Sequence, residues 1–223
     1  MEHSIPNLSQ YSGLIFDLDG TLVDSSAAIA EVFSRWCESH LLDFETIIQA
    51  CRGSRVSDIL PQIAPHLDAQ KESDFIEAEE AKTSTGLVEI PGASQLLHHL
   101  QNTHANWAIA TSCSYPVADL RMSVVGLPKP EIFVTSEKIL HGKPDPEHFV
   151  TTASFLELPP WRCLVFEDSN NGVRGALDAG CDVVVVGKHA TIEHPRIRAR
   201  IDNYLPVLKQ LGIASCCFDK ETE

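Results

Sequence analysis

Gly13-Leu14-Ile15-Phe16-Asp17-Leu18-Asp19-Gly20-Thr21-Leu22-Val23-Asp24-Ser25 is the stretch whose reading decides the fold. Four apolar residues, Gly13 to Phe16, run without interruption into a polar turn, as in a strand buried on both faces. The two carboxylates Asp17 and Asp19 stand two residues apart just past that run. In an open parallel sheet the carboxyl ends of the strands are where ligands bind. Gly20 lets the backbone turn there. One carboxylate can then attack an electrophile while the other handles protons on the leaving oxygen. The plainer reading is an Asp-rich turn with Asp24 or Ser25 capping the next helix.

Working outward, similar apolar runs occur at Trp107–Ala110, Cys163–Phe166 and Asp182–Val186, with a weaker one at Ile132–Thr135. Helical patterns separate them. Ala93–Leu100 carries Leu96, Leu97 and Leu100 on one face. Pro146–Leu156 opens on a proline, and Asn171–Ala179 stops at Gly180. Strands alternating with helices predict an α/β fold: a Rossmann-like parallel sheet with helices on both faces. Residues 27–90 break the rhythm. Glu31–His40, Thr46–Ala50, Ser57–Ala64 and Gln70–Lys82 read as helices, with Pro61 and Pro65 interrupting, and no strand is evident. This predicts an inserted all-helical domain at 27–90, with the core formed by 1–26 and 91–223. Asp219–Glu223 reads as a frayed end.

Three further groups gather at strand ends. Glu167-Asp168-Ser169 places adjacent acids after the 163–166 run, a costly arrangement unless a cation offsets it. Gly142-Lys143-Pro144-Asp145-Pro146 holds a lysine between stiffening prolines, suited to neutralising an attacking carboxylate and phosphoryl oxygens. Thr111-Ser112 offers a hydroxyl and backbone amides after the 107–110 run, or a helix cap. Cys113 beside them reads as an ordinary small neighbour rather than a reactive thiol.

Together, in this order, these motifs resemble the haloacid dehalogenase-like superfamily in its phosphatase branch. The resemblance covers nearly the whole chain and implies a phosphoric monoester hydrolase. In that family the first aspartate is the nucleophile and the second the general acid/base, roles that fall on Asp17 and Asp19. It implies Mg2+ held by Asp17, the Asp19 backbone carbonyl and Asp168, with Glu167 on a metal-bound water. It also implies phosphate binding by Thr111, Ser112 and Lys143. Magnesium suits an all-oxygen site. An insert at 27–90 corresponds to the helical cap that sets substrate choice. Cys51-Arg52-Gly53-Ser54-Arg55 falls where related phosphatases read the substrate, so Arg52, Gly53 and Arg55 are the candidates. Arg52 stands where a histidine is common, which puts the substrate in question. Two arginines flanking a helix start is the alternative reading.

Trp107–Ser112, Leu127–Thr135 and Gly142–Pro146 resemble phosphatases of small sugar and polyol phosphates. Related phosphosugar mutases have a histidine twelve residues after the nucleophile; Ile29 stands there, and no histidine occurs between Thr21 and Ser39. A mutase remains the alternative within the family. A non-catalytic phospho-ligand-binding protein is the alternative outside enzymes.

Composition bounds the partners. The chain has 223 residues, 31 acidic and 17 basic, and a net charge of −14. Such a field disfavours nucleic acid and anionic membranes. It also repels an anionic substrate, so a local cation is needed. A small phosphorylated metabolite is the expected partner, and a monomer the expected state. The seven cysteines (37, 51, 113, 163, 181, 216 and 217) show no metal-ligand spacing. The polar start, Met1–Tyr11, does not read as a secretory leader, and no apolar run is long enough to span a bilayer. A cytoplasmic protein is expected, with no role for Cys216-Cys217. The adjacent His98-His99 reads as a solvated helix face.

Overall fold

The computed structural model describes residues 5–213. In chain order the first elements are β1 (Gly13–Phe16), β2 (Val23–Asp24), α1 (Ser26–His40), α2 (Phe44–Cys51), α3 (Val56–Ile63), α4 (Ala69–Glu80) and β3 (Val88–Glu89). Then come α5 (Ala93–Asn102), β4 (Trp107–Ala110), α6 (Tyr115–Val125), β5 (Ile132–Val134) and α7 (Glu147–Phe155). The last are β6 (Cys163–Glu167), α8 (Asn170–Asp178), β7 (Asp182–Val186), β8 (Ile197–Ile201) and α9 (Leu205–Gln210).

Six strands form one parallel sheet in the order β5-β4-β1-β6-β7-β8. The continuous apolar runs follow from helices covering both faces. Side chains alternate across a strand, and both sets are buried. Leu14, Phe16, Leu164, Phe166, Val184 and Val186 enter one cluster with Leu96, Leu97 and Leu100 of α5, Met122 of α6 and Val207 and Leu208 of α9. Ile15, Val165, Val183 and Val185 enter the opposite cluster with Phe149 of α7 and Val173 and Ala176 of α8. Phe16 stacks on Phe166 across the two central strands, with ring centroids 4.7 Å apart. That packing fixes the ends of β1 and β6 side by side, and those ends carry Asp17 and Glu167.

Helices α1 to α4 share a third cluster built on Val32, Phe33, Trp36, Ile47, Val56, Leu60 and Ile76. Asp43 and Asp68 cap α2 and α4 by accepting from the Thr46 and Lys71 amides. The Trp36 indole donates to Glu72 at 2.8 Å, which satisfies a buried polar pair. α3 continues through Pro61 to Ile63.

Three strands depart from the sequence reading. Residues 27–90 were expected to hold none, yet β3 pairs antiparallel with β2, Val23 opposite Glu89 and Asp24 opposite Val88. Each is two residues long, too short to leave a periodic signature. β8 was also not foreseen. Its residues alternate, with Ile197, Ala199 and Ile201 buried and Arg198 and Arg200 exposed, because it is an edge strand with one packed face. Asp219–Glu223 and Cys216-Cys217 lie outside the described residues. Among the described residues, no helix is long and apolar enough to cross a membrane.

Candidate active site

Asp17 follows β1 directly, and its amide donates to the Phe166 carbonyl at 3.0 Å. Beyond it, Gly20 takes φ +80°, and its α-carbon lies against Asp168: a β-carbon there would fall 2.3 Å from the carboxylate. Any side chain would therefore push the Asp168 carboxylate away from the turn. Asp24 serves the plainer role, accepting from the Ser26 amide at 3.1 Å at the start of α1.

The centre is a lysine enclosed by oxygens. Lys143 is 1% exposed, and its ammonium donates to Asp17 Oδ1 at 2.6 Å, Glu167 Oε1 at 2.7 Å and the Ala110 carbonyl at 3.1 Å. An ammonium has three protons, and all three are used. Burial works to strip one away, but Asp17 and Glu167 outweigh it and hold the lysine's pKa above its ordinary value. Glu167 is the last residue of β6 rather than the first beyond it. Its second oxygen accepts from the Ser169 amide at 2.9 Å and the Ser169 hydroxyl at 3.0 Å. Both Glu167 oxygens are thus already held by protein donors.

Asp17, Glu167 and Asp168 each present an oxygen within 4.8 Å of the others, and all three residues are buried. Burial, foremost, lifts the Asp17 pKa; Lys143 opposes, Glu167 and Asp19 add, and the result is about 7. Burial and then Glu167 and Asp17 push Asp168 well above its ordinary value, against the pull of Arg52 and Lys143. Three buried carboxylates with one ammonium, which bonds two of them, leave negative charge uncompensated. A hard divalent cation fits such an all-oxygen donor set, so the residues present suit magnesium.

Thr111 and Ser112 follow β4 as expected. The Thr111 amide donates to Val134 O at 2.9 Å, and its hydroxyl oxygen accepts from the Cys113 amide at 3.2 Å. The Ser112 hydroxyl donates to the Gly53 carbonyl at 3.2 Å, across to the loop between α2 and α3. Under them lies His148, which sequence reasoning missed. It is fully buried, with Nε2 3.0 Å from the Thr111 carbonyl. Burial, and after it the Lys143 charge, lowers its pKa to about 3, so it is the neutral ring that holds Thr111.

Asp19 sits apart from the lysine. Its Oδ2 accepts from the Arg121 guanidinium and from the Cys113 thiol at 2.6 Å, while Oδ1 is buried without a partner among the described residues. Arg121, on α6, was not singled out from sequence. Its other edge donates to Glu80 at the end of α4, at 2.8 Å. Burial and the neighbouring Asp19 charge raise the Cys113 pKa well above a free thiol's. Cys113 therefore stays protonated, as expected of an unreactive neighbour, and also acts as a donor to Asp19.

The 52–55 segment docks on the core. Ser54 donates to the Lys143 carbonyl at 2.9 Å and accepts from Asn171 at 2.9 Å. Arg55 pairs with Asp58 at 2.7 Å and donates to the Ile139 and Leu140 carbonyls at 3.3 and 2.7 Å, so its donors face the protein. Arg52 is exposed and close enough for its charge to act on Asp168. Gly53, at φ +73°, packs so tightly that a β-carbon would fall 2.1 Å from the Ser169 hydroxyl and 2.5 Å from its Cβ. Gly53→Ala is therefore expected to lift the loop off Ser169. We expect a loss in kcat/KM on the order of tenfold, with melting lowered by left-handed strain of about 1–2 kcal/mol. Steady-state kinetics beside thermal melts test this, and unchanged kinetics would show that the docking is irrelevant to turnover.

The sequence profile of the haloacid dehalogenase-like hydrolases matches residues 14–186, which run from β1 to the end of β7. The chain belongs to this family. It is 38% identical over 204 residues to hexitol phosphatase A of Escherichia coli, covering 90% of this chain and 93% of that protein. It is 29% identical over 180 residues to glycerol-1-phosphate phosphohydrolase 2 of Saccharomyces cerevisiae, covering 76% and 72% respectively. Among solved structures, a hydrolase from Pseudomonas syringae superposes with a TM-score of 0.76 at 22% identity, over 91% of this chain and 98% of that one. The fold is thus the family's α/β fold, and the chain is a hydrolase of the phosphatase type.

Proposed function

We propose that this chain is a magnesium-dependent phosphatase that hydrolyses a small sugar or polyol phosphate through a phospho-aspartate on Asp17. The observation that carries this reading is the buried cluster at the ends of β1 and β6, with Lys143 on Asp17 and Glu167, and Asp168 alongside. The Asp17 and Asp168 carboxylates and the Asp19 backbone carbonyl would hold the metal. When bound, it would offset the negative charge of the phosphate and of the transition state.

The chain's own groups divide the work. The Asp17 carboxylate attacks phosphorus in line, and the phosphorus–oxygen ester bond breaks toward the sugar. Asp19 gives its proton to the departing alkoxide. The Asp19 carboxylate then takes a proton from water as that water attacks the phospho-aspartate. Asp17 and inorganic phosphate are released. Lys143 offsets charge on the attacking carboxylate and the phosphoryl oxygens. The Thr111 hydroxyl accepts from Cys113, which leaves its own proton for a phosphoryl oxygen, and the Ser112 amide adds a second donor.

The substrate class rests on the hexitol and glycerol phosphatase relatives. Residues 27–90 act as a cap whose 52–55 loop closes the site against water. Within that loop Gly53, Ser54 and Arg55 seat the cap, which leaves Arg52 to meet the substrate. Five cysteines are free among the described residues, consistent with a reducing cytoplasm.

Phosphate release from a panel of hexitol, glycerol, hexose and nucleotide monophosphates tests the reading. Turnover of a polyol or sugar phosphate, abolished by EDTA and restored by magnesium, is expected. Phosphoryl transfer between sugar positions without phosphate release would replace the phosphatase by a mutase. Activity unaffected by EDTA would remove the metal.

A further inference from the structure

We propose that Arg121 and Glu80 are a positioning pair for Asp19. Arg121 holds Asp19 Oδ2, so that Oδ1 is the oxygen that exchanges the proton, and Glu80 from the helical insert holds Arg121. The inference rests on reading Asp19 as the general acid/base.

Three observations carry it. First, the two oxygens of Asp19 are treated differently. Oδ2 accepts from both the Arg121 guanidinium and the Cys113 thiol, while Oδ1 is buried and has no partner among the described residues. A buried carboxylate oxygen left without a donor is costly. It is explained if its partner is the oxygen of a substrate or an attacking water. Second, Arg121 is 2% exposed on a helix face it shares with the buried Val117, Ala118 and Met122. Apolar residues in place of both Arg121 and Glu80 would fill the space with no ion network to desolvate, and replacing a whole buried network in this way is often neutral or stabilising, whereas removing Arg121 alone strands two carboxylates. Stability alone therefore does not call for an arginine. Third, the guanidinium is planar and held at both ends. One nitrogen faces Asp19 and lies 2.8 Å from the Cys113 sulfur; the other lies 2.8 Å from Glu80 Oε1. Such a clamp fixes orientation in a way a flexible lysine does not. Because Glu80 ends α4, the pose of the proton-transfer group is tied to the seating of the insert, where misplacement by an ångström can lower the rate about a hundredfold.

Leaving-group dependence tests this. An alkoxide must be protonated as it departs, whereas p-nitrophenolate leaves unaided, and kcat/KM reports the step in which it leaves. Arg121→Met is expected to lower kcat/KM for a hexitol or glycerol phosphate about a hundredfold, but for p-nitrophenyl phosphate less than about threefold. Glu80→Gln, which keeps an acceptor for Arg121, should show the same split at about tenfold. It should add nothing in the Arg121→Met background. Asp19→Asn is measured beside them. If it shows no split, Asp19 is not the acid and the positioning pair falls with it. If Asp19→Asn shows the split while Arg121→Met lowers both substrates alike, or neither, Arg121 is structural and the proposal alone is overturned. Should Arg121→Met fail to fold, Glu80→Gln decides by the same criterion.

Discussion

Asp17→Asn is expected to lower phosphate release by about ten-thousand-fold or more, while the protein stays folded and becomes no less stable at neutral pH. The first half follows from chemistry. An amide oxygen is a poor nucleophile toward phosphorus, and no other carboxylate occupies the same place. Glu167 is held at both oxygens by Lys143 and Ser169, and Asp168 does not touch the lysine. The second half follows from electrostatics. Burial, against the pull of Lys143, raises the Asp17 pKa to about 7. A carboxyl whose folded pKa lies above its unfolded value contributes stability below about pH 4, and that contribution is lost as the pH rises through 7. At pH 8 the wild type must keep a desolvated carboxylate beside Glu167 and Asp168. Asparagine keeps an oxygen acceptor for Lys143 without that charge. Thermal melts in EDTA at pH 5 and pH 8 should therefore favour the variant more at pH 8. Residual turnover above about 1% would remove Asp17 as nucleophile. A melting loss that is largest at pH 8 would mean that the Asp17–Lys143 attraction outweighs the burial.

How much of this was legible in the sequence depends on where each residue's partners lie. The central strands were readable because burial on both faces makes every residue apolar, and Gly13 to Phe16 and Cys163 to Phe166 stand out as runs. Asp17, Thr111 and Glu167 were readable because each sits where such a run meets polar residues. β8 escaped because Arg198 and Arg200 break the run, although Ile-Arg-Ala-Arg-Ile is the alternation of a half-buried edge strand. Arg121 and Glu80 escaped for a different reason. Their partners are remote, Arg121 being 102 residues from Asp19 and 41 from Glu80. A local signal did exist. Residues 117, 118, 121 and 122 share one helix face, and a charge among three apolar residues there asks for a buried partner. Arg55 illustrates the converse. Its place in the 52–55 loop suggested substrate contact, but Asp58 three residues on and the Ile139 and Leu140 carbonyls take its donors.

Lys143→Met is expected to be the most destabilising single substitution at this site, and its effect should grow with pH. Wild-type Lys143 places one positive charge against Asp17 and Glu167 with almost no solvent access. Removing one partner of a buried pair leaves uncompensated charge, at about 3–5 kcal/mol. That is a large part of the roughly 5–15 kcal/mol that holds a domain folded. Methionine fills similar volume against Phe149, whose ring centroid lies 5.2 Å from the lysine nitrogen, so little of the loss should come from packing. The sign of the pH dependence follows from the carboxylates. Without the ammonium, the Asp17 pKa moves further above about 7, because the pull of Lys143 was what opposed burial. At pH 5 the variant can protonate Asp17, so its loss is smaller there than at pH 8. At pH 8 folding must either bury the charge or take up a proton, and the deficit against wild type opens across that interval. Urea unfolding of both proteins in EDTA measures it, and saturating magnesium should recover part of the loss at pH 8. A deficit equal at the two pH values would mean that the lysine holds the site by shape alone, and then its role toward the attacking carboxylate would fall with it.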